Sequence, residues 1–186
     1  MKILLNVRKY DYGIKERGYS FEYDNFYRVL KNLGHNVYLY DFPTEEQKYG
    51  KEKMGENLLK AIDTYRPDLI FNCFHPGDFA MNSVKKLHDK KIRSVIWMTD
   101  DEWLWEVFSK HVAKYFDYVI TTDDKAIPKY KKIGYKRMIL SQWGVNTEFV
   151  KKLNVYTGKP IIPGKILLFL RCFLLFRSLF YYRDCS

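Results

Sequence analysis

Acids, indoles and one histidine are the side chains in this sequence with chemistry to offer, and each group follows a short apolar run. His75 comes directly after residues 69–74 (LIFNCF) and is followed by Pro76, Gly77 and Asp78. An imidazole there suits a general base acting on an acceptor hydroxyl, because it titrates near neutrality; it equally suits a hydrogen bond to a loop carbonyl. The stretch Thr99-Asp100-Asp101-Glu102-Trp103 is denser. Thr99 and Glu102 have the spacing of a capping box, and acids in a first helical turn suit the helix dipole. Capping does not explain why the acid pair is followed by Trp103 and Trp105. Carboxylates bind hydroxyls and indoles stack on the C–H face of a sugar, so Asp100, Asp101 and Trp103 are candidates for a carbohydrate site. Thr121-Thr122-Asp123-Asp124 has a similar form after the next apolar run, which adds Asp123.

The first loop is basic and aromatic, with Arg8, Lys9, Tyr10, Tyr12, Lys15, Arg17 and Tyr19. It suits a sugar or phosphate, with Tyr10, Tyr12 and Arg17 as binding candidates; the plain alternative is a surface loop. Its two glycines, Gly13 and Gly18, match neither the dinucleotide fingerprint nor the P-loop, which argues against an ordinary dehydrogenase or P-loop enzyme. No His/Cys/Asp cluster has metal-ligand spacing, so no metal is expected, and no Ser or Cys nucleophile motif is present. The three cysteines, Cys73, Cys172 and Cys185, form no CxxC, so neither a disulfide framework nor a zinc site is indicated. His35 and His88 are expected on the surface.

The elements that would position these groups alternate regularly. Residues 3–7, 37–40, 69–74, 94–98, 118–120 and 138–140 read as buried strands. Helical patterns lie between them, including Phe26, Val29, Leu30 and Leu33 on one face, and Met54, Leu58, Ile62 and Tyr65 on another. This alternation predicts an α/β fold, a Rossmann-like parallel sheet with helices on both faces. Ligands of such sheets sit at the carboxyl ends of the strands. The loops to watch are therefore 10–18, 41–43, 75–78, 99–103 and 121–124. The 186 residues carry 47% hydrophobic and 18% aromatic side chains, enough for a sizeable core. The net charge of +10 favours acidic partners without choosing among them, and is also what a solvated lysine-rich surface gives. The apolar start is too short for a signal peptide, so a cytoplasmic protein is expected.

At these residues the sequence resembles a known family. Met1-Lys2-Ile3-Leu4-Leu5 followed by Gly34-His35-Asn36-Val37 looks like the opening of many GT-B glycosyltransferases, and Arg66-Pro67-Asp68-Leu69-Ile70-Phe71 resembles their third-strand entry. The run from Trp97 to Trp103, then residues 116–123 (FDYVITTD), Tyr130 to Gly134, and Trp143-Gly144-Val145-Asn146 is similar in order and spacing to the N-terminal domain of CgeB-like, spore-maturation-type glycosyltransferases. The likeness covers about residues 1–150. It implies one half of a GT-B fold: the N-terminal domain holds a sugar or glycan acceptor, and a second domain binds a nucleotide-sugar donor as co-substrate. No cofactor is implied, and no nucleic-acid partner. Within that scheme His75 and Asp100 are the candidate catalytic residues. Tyr10, Tyr12, Arg17, Asp101, Trp103 and Asp123 are the substrate-binding ones.

The sequence divides into residues 1–155, the Rossmann-like acceptor-side domain, and residues 156–186, an apolar basic tail that reads as a truncated or non-native continuation. No room is left for the family's donor domain, so the chain is expected to be inactive without a separate donor-binding domain. Residues 166–182 form a 17-residue apolar run broken by Arg171 and Arg177. That is short of the ~20 residues of a spanning helix, and the arginines would point about 120° apart on a helix. Membrane contact through this tail is the alternative expectation, giving a non-catalytic, membrane-attached α/β module that recruits a donor-binding subunit.

Overall fold

The structure, a computed structural model, describes residues 1–146. The tail 156–186, with its apolar run, lies outside the described residues. Six strands, β1 (Lys2–Val7), β2 (Asn36–Asp41), β3 (Leu69–Asn72), β4 (Ser94–Met98), β5 (Tyr118–Thr121) and β6 (Met138–Leu140), form one sheet in the order β2-β1-β3-β4-β5-β6. Every pairing is parallel. Parallel strands are buried on both faces, which is why Leu69–Asn72 and Ser94–Met98 are solvent-excluded throughout. The alternation of side chains divides the core in two. Leu4, Ile70, Ile96, Met98 and Val119 lie in one cluster; Ile3, Leu5, Val7, Phe71, Val95, Trp97 and Ile120 lie in the other.

The two faces are covered unequally. The first is packed by Phe42 of α2 (Phe42–Tyr49), by Met54, Leu58 and Ile62 of α3 (Lys51–Tyr65), and by Val84 and Leu87 of α4 (Met81–Asp89). Leu104 of α5 (Asp101–Leu104), Val112 of α6 (Lys110–Val112) and Tyr130 of α7 (Ala126–Lys132) complete it. Among the described helices only α1 (Arg28–Asn32), with the π-helical turn Tyr23–Tyr27 before it, contributes buried side chains to the second face, through Phe26 and Leu30. The expected amphipathic face is shifted by that π-turn: Leu33 is exposed. The turn has a visible cause. Asn25 spends its side-chain amide on the Phe21 carbonyl (2.9 Å), which takes up an acceptor of the helical ladder, and its Oδ1 accepts the amide of Asn146 at 2.6 Å.

Helix α3 ends as expected before Pro67, with Arg66 in the left-handed region (φ 49). Helices α3 and α4 approach so closely that a Cβ on Gly55 would run into the hydroxyl of Ser83. Among the described residues no helix is long and apolar enough to cross a membrane.

Candidate functional site

The strand order reverses direction beside β1 and β3, so the crevice between their carboxyl ends is where an open α/β sheet presents a ligand site. Arg8 leaves β1 there, and His75 stands three residues past β3. The Arg8 guanidinium stacks over Phe42 (5.2 Å to the ring centre) and bonds in two directions. Nη2 reaches Asp78 Oδ2 at 2.6 Å, and Nη1 reaches His75 Nδ1 at 2.8 Å. Asp78 Oδ2 also accepts the backbone amide of His75 at 2.6 Å, which closes the turn 75–78. On the far side of the ring, Nε2 lies 3.0 Å from Thr99 Oγ1 and 3.2 Å from Asp100 Oδ2. These five side chains, from the ends of β1, β3 and β4, make one connected cluster.

Arginine has donors only, so His75 Nδ1 must accept, and the ring proton of the neutral imidazole sits on Nε2, aimed at Asp100. Thr99 donates to the same Oδ2 at 2.5 Å. The capping box expected of Thr99 and Glu102 does not form: α5 starts at Asp101, so the N-cap is Asp100 rather than Thr99, and no side chain caps it. The chemical consequence is specific. In this arrangement both ring nitrogens of His75 are engaged, whereas Asp100 Oδ1 has no hydrogen-bond partner among the described residues and its side chain is 31% exposed. Of the two groups, Asp100 is the one that keeps an oxygen free, and His75 holds its other oxygen through Nε2.

Asp101, one residue on, faces the opposite way. It has no exposed surface; Oδ2 accepts from Thr121 Oγ1 at 2.5 Å, and both oxygens accept from the Tyr130 hydroxyl at 3.0 and 3.1 Å. Burial holds its carboxyl above the usual range and pushes the Tyr130 phenol up as well. Expected as a substrate-binding residue, Asp101 lies out of reach of any ligand here and ties the start of α5 to β5 and α7. Asp123 is also buried, and its Oδ1 accepts the Lys125 amide at 2.9 Å within a turn. Trp103 is 68% exposed, on the outer side of α5.

Tyr10, Tyr12 and Arg17 belong to a closed loop, residues 10–19. It is pinned by Asp11 N to Gly18 O (3.0 Å), Ser20 N to Lys9 O (3.0 Å) and a bridge between Tyr10 and Tyr19. Gly13 is required at its base: its φ is +75, and a Cβ would come 2.9 Å from that of Pro43. Arg17 pairs with Asp11 at 2.7 Å and lies 4.7 Å over Tyr12, which is 76% exposed. Ser20, which follows the loop, ties it to the Arg8 carbonyl, and among the described residues Tyr10, Tyr12 and Arg17 make no hydrogen bond to the Arg8–Asp100 cluster.

Two features escaped the residue patterns. Asp78 was part of a turn and Arg8 part of a basic loop; their pairing spans 70 residues and had no local signal. Beneath the site, Asn6 and Asn72 sit opposite one another in the sheet and are fully buried, with Asn6 Nδ2 donating to Asn72 Oδ1 at 3.0 Å. Two asparagines at equivalent places in otherwise apolar strands were the available clue.

No family model matches the chain. The spore protein CgeB of Bacillus subtilis (strain 168) is 25% identical over 153 residues, covering 80% of this chain and 45% of that protein. The chain is similar, at a distance, to CgeB. It spans less than half of that relative's length. Among solved structures, the N-terminal domain of a response regulator receiver protein from Methanoculleus marisnigri JR1 superposes with a TM-score of 0.37 and 14% identity, over 70% of this chain and 92% of that one.

Proposed function

We propose that this chain is the acceptor-side domain of a GT-B glycosyltransferase. A sugar passes from a nucleotide-sugar donor, held by a separate domain, to a hydroxyl of a sugar or glycan acceptor. The observation that carries the reading is the polarised Arg8–His75–Asp100 cluster at the switch point of the sheet, with Asp100 Oδ1 left over for a ligand. The distant likeness to CgeB, and the motif order from Trp97 to Asn146, support it.

In this reading Asp100 accepts the proton of the acceptor hydroxyl as the bond to the sugar forms. His75 holds the carboxylate through Nε2–H, and Arg8 and Asp78 fix the ring in that tautomer. Trp103 and the loop 10–19 offer stacking surface to the acceptor, while Asp101 and Asp123 set the positions of α5 and the turn after β5. The test is nucleotide release from a panel of nucleotide-sugars by the chain extended to the length of its relative. Asp100→Asn should lower turnover by about 10²–10⁴-fold, the usual contribution of a general base. Unchanged turnover in that variant rejects the assignment, and no release from any donor rejects the reading.

A further inference from the structure

From the loop 10–19 into the turn before α1 runs a second feature, of which the reading above uses only the loop. Tyr10 and Tyr19 stack at 5.8 Å with their planes 11° apart, Tyr19 and Tyr23 at 4.4 Å and 15°, and Tyr23 and Tyr27 at 4.9 Å and 22°. Four rings therefore form one continuous stack, starting two residues past Arg8 and continuing along the π-turn before α1. Lys9 lies over Tyr10 (5.1 Å), and Arg28 lies over both Tyr19 and Tyr23 (5.1 and 5.4 Å).

The phenols of this stack differ from the tyrosines that hold the fold together. Tyr40, Tyr65, Tyr130 and Tyr135 each donate their hydroxyl to a protein oxygen. Tyr19, Tyr23 and Tyr27 donate to none among the described residues, and Tyr19 is 47% exposed. Inner ring faces are taken up by the neighbouring rings, so what the stack offers is a rail of edges and hydroxyls. Each hydroxyl both donates and accepts, as a sugar hydroxyl does. Mutual stacking locks the rings in advance, so little side-chain entropy is lost when a ligand binds.

We infer that the Tyr10–Tyr19–Tyr23–Tyr27 stack, flanked by Lys9 and Arg28, is a subsite for an extended glycan, so that the acceptor is an oligosaccharide or polysaccharide. This rests on the acceptor-side reading. The stack holds four rings in three successive steps of 5.8, 4.4 and 4.9 Å, and Tyr10 follows by two residues the Arg8 of the cluster that would hold the reacting hydroxyl.

The test is native electrophoresis of the 186-residue chain through gels containing soluble linear neutral glycans: a β-glucan, a mannan and a galactan. Titration with the matching mono- and hexasaccharides accompanies it. Retardation by at least one polymer is expected, with affinity at least about tenfold higher for the hexasaccharide than for the monosaccharide. The triple variant Y19F/Y23F/Y27F keeps the stack and removes the hydroxyls. It should lose about tenfold or more, given ~1 kcal/mol per neutral hydrogen bond. Tyr65→Phe, whose hydroxyl bonds Asn36 O away from the rail, should bind as the parent does. No retardation by any of the three glycans, or equal binding by the triple variant, overturns the proposal. The measurement needs neither donor nor turnover. Glycan binding without transfer would sink the transferase reading alone, and transfer to a monosaccharide without glycan binding would sink the rail alone.

Discussion

Replacing Arg8 by methionine tests the logic of the site at its least exposed point. Methionine keeps an apolar stem of similar length over Phe42 but donates nothing. The variant loses the 2.6 Å contact to Asp78 and the 2.8 Å contact to His75 Nδ1, between side chains only 18% (Arg8, Asp78) and 30% (His75) exposed. A hydrogen bond to a charged partner contributes ~1.5–3 kcal/mol, and the loss of the stacked cation adds about 0.5–1 kcal/mol. Some of this returns as water reaches the Asp78 carboxylate, which leaves a net loss of about 2 kcal/mol. For a domain of this size that lowers the melting temperature by about 4–8 °C. Circular dichroism melts read the stability, and long-range proton–nitrogen correlation spectra read the tautomer of His75. The parent should show the proton on Nε2; Arg8→Met should mix the two tautomers, since Nδ1 loses its donor. A parent protonated on Nδ1, or a variant that melts within ~1 °C of the parent, would refute the account.

The other consequences are simpler. Asp101 is held above the ordinary carboxylate range by burial, so the folded state keeps its proton more firmly than the unfolded chain. Its contribution to stability is present at acid pH and is lost as pH rises through the raised value; the melting-temperature lead of the parent over Asp101→Asn should shrink as pH rises from the ordinary carboxylate range, and a constant gap would contradict this. Gly55→Ala should destabilise by about 1–3 kcal/mol through the contact with Ser83, and Ser83→Gly should recover most of it; denaturant titrations of the single and double variants decide. Asn25→Ala strips partners from the Phe21 carbonyl and the Asn146 amide, so about 1–3 kcal/mol should be lost and the Asn146 amide should exchange faster with deuterium, while unchanged exchange would remove Asn25 as the cause of the π-turn.

The sheet was legible because buried parallel strands leave a simple trace. Residues 69–71 and 95–98 are apolar without alternation, and both lie in solvent-excluded strands. The loops at the carboxyl ends of the strands were legible for the same reason: once the strands are placed, those ends follow. What the sequence hid was geometry set by contacts far apart in the chain. Helix α2 was missed, although Pro43 marks its first turn, because its only buried residue is Phe42. The π-turn at Tyr23–Tyr27, whose Asn25 accepts from the Asn146 amide more than a hundred residues away, breaks the 3.6-residue period, so helical periodicity over residues 20–33 misplaced Leu33. Thr99 had the right spacing for a cap, but the helix begins one residue later, with Asp100 at the N-cap.

The adjacent acids of α5 show most clearly how position, not residue type, assigns a role. Asp100 has non-helical backbone angles (φ −136, ψ 41) and Asp101 is the first residue of the helix, so their side chains leave in opposite directions. One enters the core, where Thr121 and Tyr130 fix it; the other emerges at the strand ends, where His75 and Thr99 hold one of its oxygens. The inner acid carries the energetic cost of a buried carboxyl without a cation among its hydrogen-bonded partners, a cost its hydroxyl donors only partly offset. A leucine there would pack at less cost, but it would surrender the hydrogen bonds that set the rotation of α5 about its own axis. Because the helix begins at that residue, a small rotation would swing Asp100 away from His75. The buried acid thus positions the exposed one, and its stability cost is the cost of placing a single carboxylate oxygen at the crevice.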